Sequence, residues 1–177
     1  MQDLPAFLRD LPPDKHGEKP LPVETWNPPF CGHIDMRIAR DGTWFYNGTP
    51  ITRPAMVRLF SRVLRRDDDG FFLVTPVEKL GITVEDVPFL AVEMAQVDGT
   101  LTFRTNVDDL VTAGPDHPLR FAKGNDGFMP YVEVRRGLEA RLTRALAQDL
   151  AALVEVRDDV FGVASGDLFF QITSDTF

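Results

Sequence analysis

The sequence predicts an α+β fold of two structurally repeated units, each of antiparallel strands plus one amphipathic helix. Three observations lead there. A strand, an Asp-Gly turn and a second strand run from Ile34 to Tyr46 around Asp41-Gly42, and the pattern returns 57 residues on, from Ala91 to Phe103 around Asp98-Gly99. Each hairpin precedes one stretch of helical periodicity. Each such stretch ends in an Arg-Asp-Asp run, Arg66-Asp67-Asp68 and Arg157-Asp158-Asp159, followed by an aromatic strand. Asp-Gly suits the type I′ turn, whose central residues both need positive φ. The two Arg-Asp-Asp runs are 91 residues apart rather than 57, so the second unit carries about 34 extra residues between hairpin and helix.

Residues 1–30 read as a Pro-rich N-terminal arm, 31–86 as the first unit and 87–177 as the larger second unit. Seven of the fourteen prolines lie in the arm and exclude a long helix or central strand there. Leu4 to Leu11 reads as a short helical turn, and the stretch through Trp26 and Phe30 as extended, with those two aromatics as anchors. A disordered leader over residues 1–20 is the competing reading.

After the first hairpin, Pro54 sits where a first helical turn tolerates proline. From Met56 to Arg66 a helical wheel places Met56, Val57, Leu59, Phe60, Val63 and Leu64 on one arc and Arg58, Ser61, Arg62, Arg65 and Arg66 on the other. Asp67-Asp68-Asp69-Gly70 ends that helix. Phe71 to Thr75 and Ile82 to Val84 read as strands.

In the second unit, Phe89 to Ala95, Leu101 to Thr105, Leu110 to Thr112, Leu119 to Lys123 and Tyr131 to Val134 read as strands separated by Gly-, Asn- and Asp-rich turns. Leu138 to Glu155 reads as the longest helix, with Leu138, Leu142, Leu146, Leu150 and Leu153 on one face. Asp149 falls within that apolar arc and is expected as a buried carboxylate with an arginine partner. Val160 to Val163 and Leu168 to Ile172 close the chain as a hairpin through Ser165-Gly166-Asp167.

The net charge is −8 and the pI near 4.8, which argues against non-specific binding to nucleic-acid backbones but not against a small anion in a local basic pocket. No apolar run reaches the roughly 20 residues of a membrane helix. No secretory signal pattern opens the sequence. The single cysteine, Cys31, has no partner for an internal disulfide. These features lead to the expectation of a cytoplasmic protein.

Metal binding finds little support, because Cys31 and His33 are joined only by His16 and His117 as nitrogen or sulfur ligands. Cys31 is expected as a small buried apolar residue; a Cys–His nucleophile is the alternative. No phosphate-cradling glycine loop and no nucleophile elbow is present. Asp35, Glu78, Glu85 and Asp86 are candidates for an acid/base pair, weighed against ordinary solvated carboxylates. The basic residues are more informative. Arg53, Arg58, Arg62, Arg65 and Arg66 mark one helical region and Arg135, Arg136, Arg141 and Arg144 the other, all of them arginine. Its planar fork grips phosphate at two points. Arg53 and Arg135 are placed by this reading at the two helix starts, where they would line an anion pocket between the units. Two ordinary solvated helix faces are the bland alternative. Trp44, Tyr46 and Tyr131 are stacking candidates or core aromatics.

Several strings together resemble the bacterial domain-of-unknown-function family 1285. They are Cys31-Gly32-His33-Ile34-Asp35-Met36-Arg37-Ile38, Asp41-Gly42-Thr43-Trp44, Thr75-Pro76-Val77-Glu78-Lys79, Val84-Glu85-Asp86-Val87-Pro88-Phe89 and Pro130-Tyr131-Val132-Glu133-Val134-Arg135. The resemblance implies a duplicated core, a pleckstrin-homology-like C-terminal barrel capped by a helix, a nucleotide-like ligand where the halves meet, and a role in signalling. It carries no catalytic residues.

The expected function is non-enzymatic binding of a small anionic, nucleotide-like ligand, with no cofactor and no metal. Arg53, Lys79 and Arg135 would serve as cationic contacts, Glu78 and Glu85 as acceptors and Tyr131 as a stacking surface. The alternatives are a protein-interaction adaptor using a sheet edge and a hydrolase using carboxylates near Asp35 and Glu78.

Overall fold

The computed structural model describes residues 20–176. The expected helical turn at Leu4 to Leu11, His16 and most of the arm lie outside the described residues. The chain divides between Asp86 and Val87 into two compact units.

Unit 1 contains a 3-10 turn (Val23–Thr25), β1 (Phe30–Ile38), β2 (Trp44–Tyr46), β3 (Thr49–Pro50), α1 (Pro54–Ser61), β4 (Leu64–Asp67), β5 (Gly70–Val74) and β6 (Lys79–Val84). They form one six-stranded sheet in the order β3-β2-β1-β6-β5-β4. The pair β1–β6 is parallel and the other pairs are antiparallel. A parallel pair needs a crossover, which α1 and the β4–β5 hairpin supply. Met36, Ile38, Trp44, Leu64 and Leu73 from the strands, with Phe60 of α1 and Val63 beyond it, are all at most 1% exposed and form the core.

Helix α1 is shorter than the wheel suggests. It stops at Ser61, and Leu64–Asp67 is a strand registered Leu64↔Leu73 and Arg65↔Phe72 against β5. In a strand Arg65 and Asp67 share the face opposite buried Leu64, and pairing with the aromatic β5 takes up the backbone groups that a longer helix would have used.

The two Asp-Gly turns differ. Asp98 (φ 51°) and Gly99 (φ 77°) make the expected tight turn between Val97 and Thr100. In the first hairpin only Gly42 has positive φ (85°), and the loop runs over Ala39 to Thr43. The Asp41 carboxylate accepts from the Thr43 amide at 2.9 Å, and Ala39 N donates to Thr43 O at 2.8 Å. The arm is anchored by buried Val23, whereas Phe30 is 54% exposed and Trp26 half-buried.

Unit 2 contains β7 (Phe89–Val97), β8 (Thr100–Thr105), β9 (Leu110–Thr112), β10 (Leu119–Gly124), β11 (Gly127–Arg135), β12 (Leu138–Leu142), α2 (Arg144–Ala151), β13 (Glu155–Arg157), β14 (Val160–Ser165), β15 (Leu168–Gln171) and a 3-10 turn (Ser174–Thr176). Strands β7 to β12 form a six-stranded sheet, ordered β10-β11-β12-β7-β8-β9, that curls into a half-barrel. Strands β13, β14 and β15 form a second sheet. Buried Ser165 joins the two: its hydroxyl accepts from Leu101 N at 3.0 Å and donates to Ala113 O at 2.8 Å.

The long helix expected over Leu138 to Glu155 is instead a strand, a helix and another strand. Leu138, Ala140 and Leu142 alternate inward in β12, which Arg136 (φ 45°) and Gly137 (φ 78°) turn back onto β11. Thr143 then caps α2, its hydroxyl accepting from Leu146 N at 3.4 Å. Only Leu146 and Leu150 of α2 are buried; Asp149 is exposed, because the shortened helix narrows the apolar face that seemed to enclose it.

The repeat is visible as helix, hairpin, strand: α1-β4-β5-β6 and α2-β13-β14-β15. In unit 1 these strands join the main sheet, and in unit 2 they form their own. The parallel partner of the first hairpin strand follows the helix in unit 1 (β6) and precedes it in unit 2 (β12). The architecture is therefore α+β with two repeated units of mixed sheets. No described helix is long and apolar enough to cross a membrane.

Candidate functional site

The amino end of α1 presents an exposed cation. Arg53 is the extended residue preceding the helix, it is exposed, and Pro54 follows it. No side chain caps the helix and no acidic residue occupies its first turn. The positive end of the helix dipole and an arginine are thus presented together. Arg53 makes no ion pair among the described residues.

The other sequence candidates are engaged. Lys79 opens β6; its Nζ lies 2.6 Å from Asp67 Oδ2 and 4.1 Å over the Phe72 ring. Glu85, just past β6, accepts from Arg37 Nη1 at 2.6 Å and from Arg40 N at 2.8 Å. The Arg40 amide first, and then Arg37, hold its carboxyl below the usual range. Glu85 thereby fastens the first hairpin loop. Glu78 sits in the β5–β6 turn, its amide donating to Thr75 Oγ1 at 3.1 Å. Glu78 and Glu85 lie at opposite ends of β6, roughly 20 Å apart at strand rise, so they do not form a carboxylate pair.

In unit 2, Arg135 is not at a helix start. It ends β11, donates to Asp109 Oδ2 at 2.6 Å and lies 5.1 Å from the Phe89 ring. Tyr131 is buried under the Arg120 guanidinium, 4.0 Å from its ring centre, and Arg120 is held in turn by Glu139 at 2.8 Å. Its ring face is already occupied. Arg144, the first residue of α2, is exposed.

Cys31 is exposed rather than buried, its thiol 3.3 Å from Pro29 O, because this end of β1 has no layer packed over it. The His33 ring lies edge-on to Phe30 and directly over Gly81, where a Cβ would run into the imidazole. No cluster of metal-ligating side chains occurs among the described residues.

Sequence reasoning missed one group. Arg65 binds Asp67 through Nε (2.8 Å) and Nη2 (2.9 Å), while its Nη1 donates to Val23 O (3.0 Å) and Trp26 O (2.8 Å). Arg65 first and Lys79 next hold the Asp67 carboxyl below its usual range. The signal was available only through the strand alternation of Leu64–Asp67, which a helical reading conceals.

Comparisons with known proteins agree with this architecture. The N-terminal domain model of the domain of unknown function DUF1285 matches residues 21–87, and the C-terminal domain model of the protein of unknown function DUF1285 matches residues 88–172. No curated protein matches the chain. The crystal structure of a DUF1285 family protein from Silicibacter pomeroyi DSS-3 is 51% identical, covers 94% of this chain and 92% of that one, and superposes with a TM-score of 0.85. A DUF1285 family protein from Shewanella baltica OS155 is 29% identical over 66% of this chain and 90% of that one, with a TM-score of 0.55. With both domain models matched in order and half the residues shared with a solved member, the chain belongs to the DUF1285 family.

Proposed function

We propose that the protein binds a small anion of the phosphate or nucleotide class at the amino end of α1, without transforming it, and that this binding serves signalling. The observation that carries the reading is Arg53, exposed beside an uncapped helix start with no acidic residue in the first turn. Pro54 has no amide hydrogen and the Met56 and Val57 amides donate to Arg53 O, so the attraction for phosphate rests on the helix dipole and on a guanidinium with no ion pair among the described residues. Glu78 and Glu85, at opposite ends of β6, are too far apart to serve as one acid/base pair.

Calorimetric titration with inorganic phosphate, nucleoside monophosphates and cyclic dinucleotides tests it. Binding should be saturable, weaken at higher salt, and fall about tenfold in Arg53→Ala, the loss of one charge-assisted contact. An Arg144→Ala variant reports whether unit 2 contributes. Absence of heat with every ligand, or undiminished affinity in Arg53→Ala, would overturn the proposal. The adaptor reading draws support from β9, a three-residue edge strand whose Leu110 is 71% exposed.

A further inference from the structure

We infer that residues 21–29 are a strap on unit 1, latched by the Arg65 guanidinium and released as a local event without unfolding the sheet. Four hydrogen bonds and one buried side chain are among the contacts that bind the strap. Leu21 N donates to Arg62 O at 3.3 Å, just before the edge strand β4. Arg65 Nη1 reaches Val23 O and Trp26 O, closing over the 3-10 turn. Lys79 N donates to Pro29 O at 3.3 Å, and Val23 is the one strap side chain that is buried.

The latch is held ready from the other side. Asp67 engages Arg65 through both carboxylate oxygens and is itself engaged by Lys79, so the guanidinium is oriented with one nitrogen directed at the strap. All three side chains are less than a quarter exposed, which keeps the pairing from being screened away. Meanwhile the sheet has its own core in Ile38, Trp44, Phe60, Leu64 and Leu73, none of which belongs to the strap. Opening therefore gives up the Val23 contact and a few hydrogen bonds and uncovers the start of β4, a free sheet edge. Arg65 is a positioning residue for the strap.

The two tryptophans provide the test, because Trp26 lies in the strap and Trp44 lies 1% exposed in the core. Acrylamide quenching of the full chain is compared for wild type, Arg65→Ala and Arg65→Lys. Lysine keeps the charge but lacks the fork that spans Asp67 and two carbonyls. The quenching constant of the accessible tryptophan should rise about twofold or more in both variants while the protected fraction is unchanged. Unchanged quenching in the variants would overturn the inference. So would exposure of both tryptophans together, since the strap would then not be separable from the sheet. If Arg65→Ala does not fold, Arg65→Lys alone decides between these outcomes.

Discussion

Asp67 receives three cationic hydrogen bonds, two from Arg65 and one from Lys79, and its carboxyl is held below its usual range as a result. A carboxylate whose folded pKa is depressed contributes stability that is fully present above its unfolded value of about 3.9 and is lost as pH falls through the lower folded value. Asp67→Asn should therefore be less stable than wild type near neutrality and lose less on acidification. Urea midpoints measured from about pH 6 to about pH 3 check this, and parallel curves for the two proteins would refute it. A second residue-scale outcome concerns the two Asp-Gly turns. Gly99 sits at φ 77° in a two-residue turn, so Gly99→Ala should cost roughly 1–2 kcal/mol, read as a lower thermal midpoint. Asp98 already occupies φ 51°, so Asp98→Gly relieves backbone strain while losing a side chain and should change stability little. Asp-Gly identifies a turn in a sequence but does not choose its type. Asp41 bonds the Thr43 amide instead of adopting positive φ, and in the same loop the Arg40 amide donates to the carboxylate of Glu85, a residue far along the sequence.

At the scale of elements, the existence of most strands was legible and the extent of both helices was not. The strands of unit 2 stood out because alternating apolar residues are bounded by turn clusters, as with Leu101 and Phe103 in Thr100–Thr105. The helices misled because leucines and arginines four residues apart fit an amphipathic helix, while Leu138, Ala140 and Leu142 fit a half-buried strand equally well. What decides between them is the partner strand: β11 supplies backbone hydrogen bonds to β12, and the Arg136-Gly137 turn fixes their register. The helix starts also differ in a way that can be measured. Thr143 caps α2, so Thr143→Ala should cost about 1 kcal/mol. α1 has no capping side chain, so Arg53→Ser should gain up to about 1 kcal/mol of stability while losing the proposed anion contact. Thermal melts combined with phosphate titration of that variant separate the two effects. A variant that gained stability and still bound the anion would detach binding from Arg53.

For the molecule as a whole, the duplication was legible because turns and helices are local and recur in order along the chain. The mixed sheets were not, because the parallel pairs β1–β6 and β7–β12 join segments separated by four strands and a helix in one unit and by four strands in the other. Local periodicity holds no record of such pairing. The same gap explains the candidate site. Arg53 was correctly set at a helix start because Pro54 marks it, whereas Arg135 depended on a helix that begins nine residues later, and the cover over Tyr131 depends on the β10–β11 register Arg120↔Tyr131. One consequence of the two-unit division can be tested directly. Unit 2 has a core of its own in Phe89, Leu101, Phe103, Val132, Ala140, Leu150 and Val163, each essentially inaccessible. Its two sheets are joined through Ser165. A chain of that length buries well over half the surface its unfolded form exposes, enough for independent folding. The fragment 87–177 should therefore give a β-rich circular dichroism spectrum and one cooperative thermal transition. Ser165→Ala within it should cost about 1–3 kcal/mol, because the buried Leu101 amide loses its acceptor. A fragment that melts without cooperativity would mean that unit 2 draws essential stability from residues before Val87.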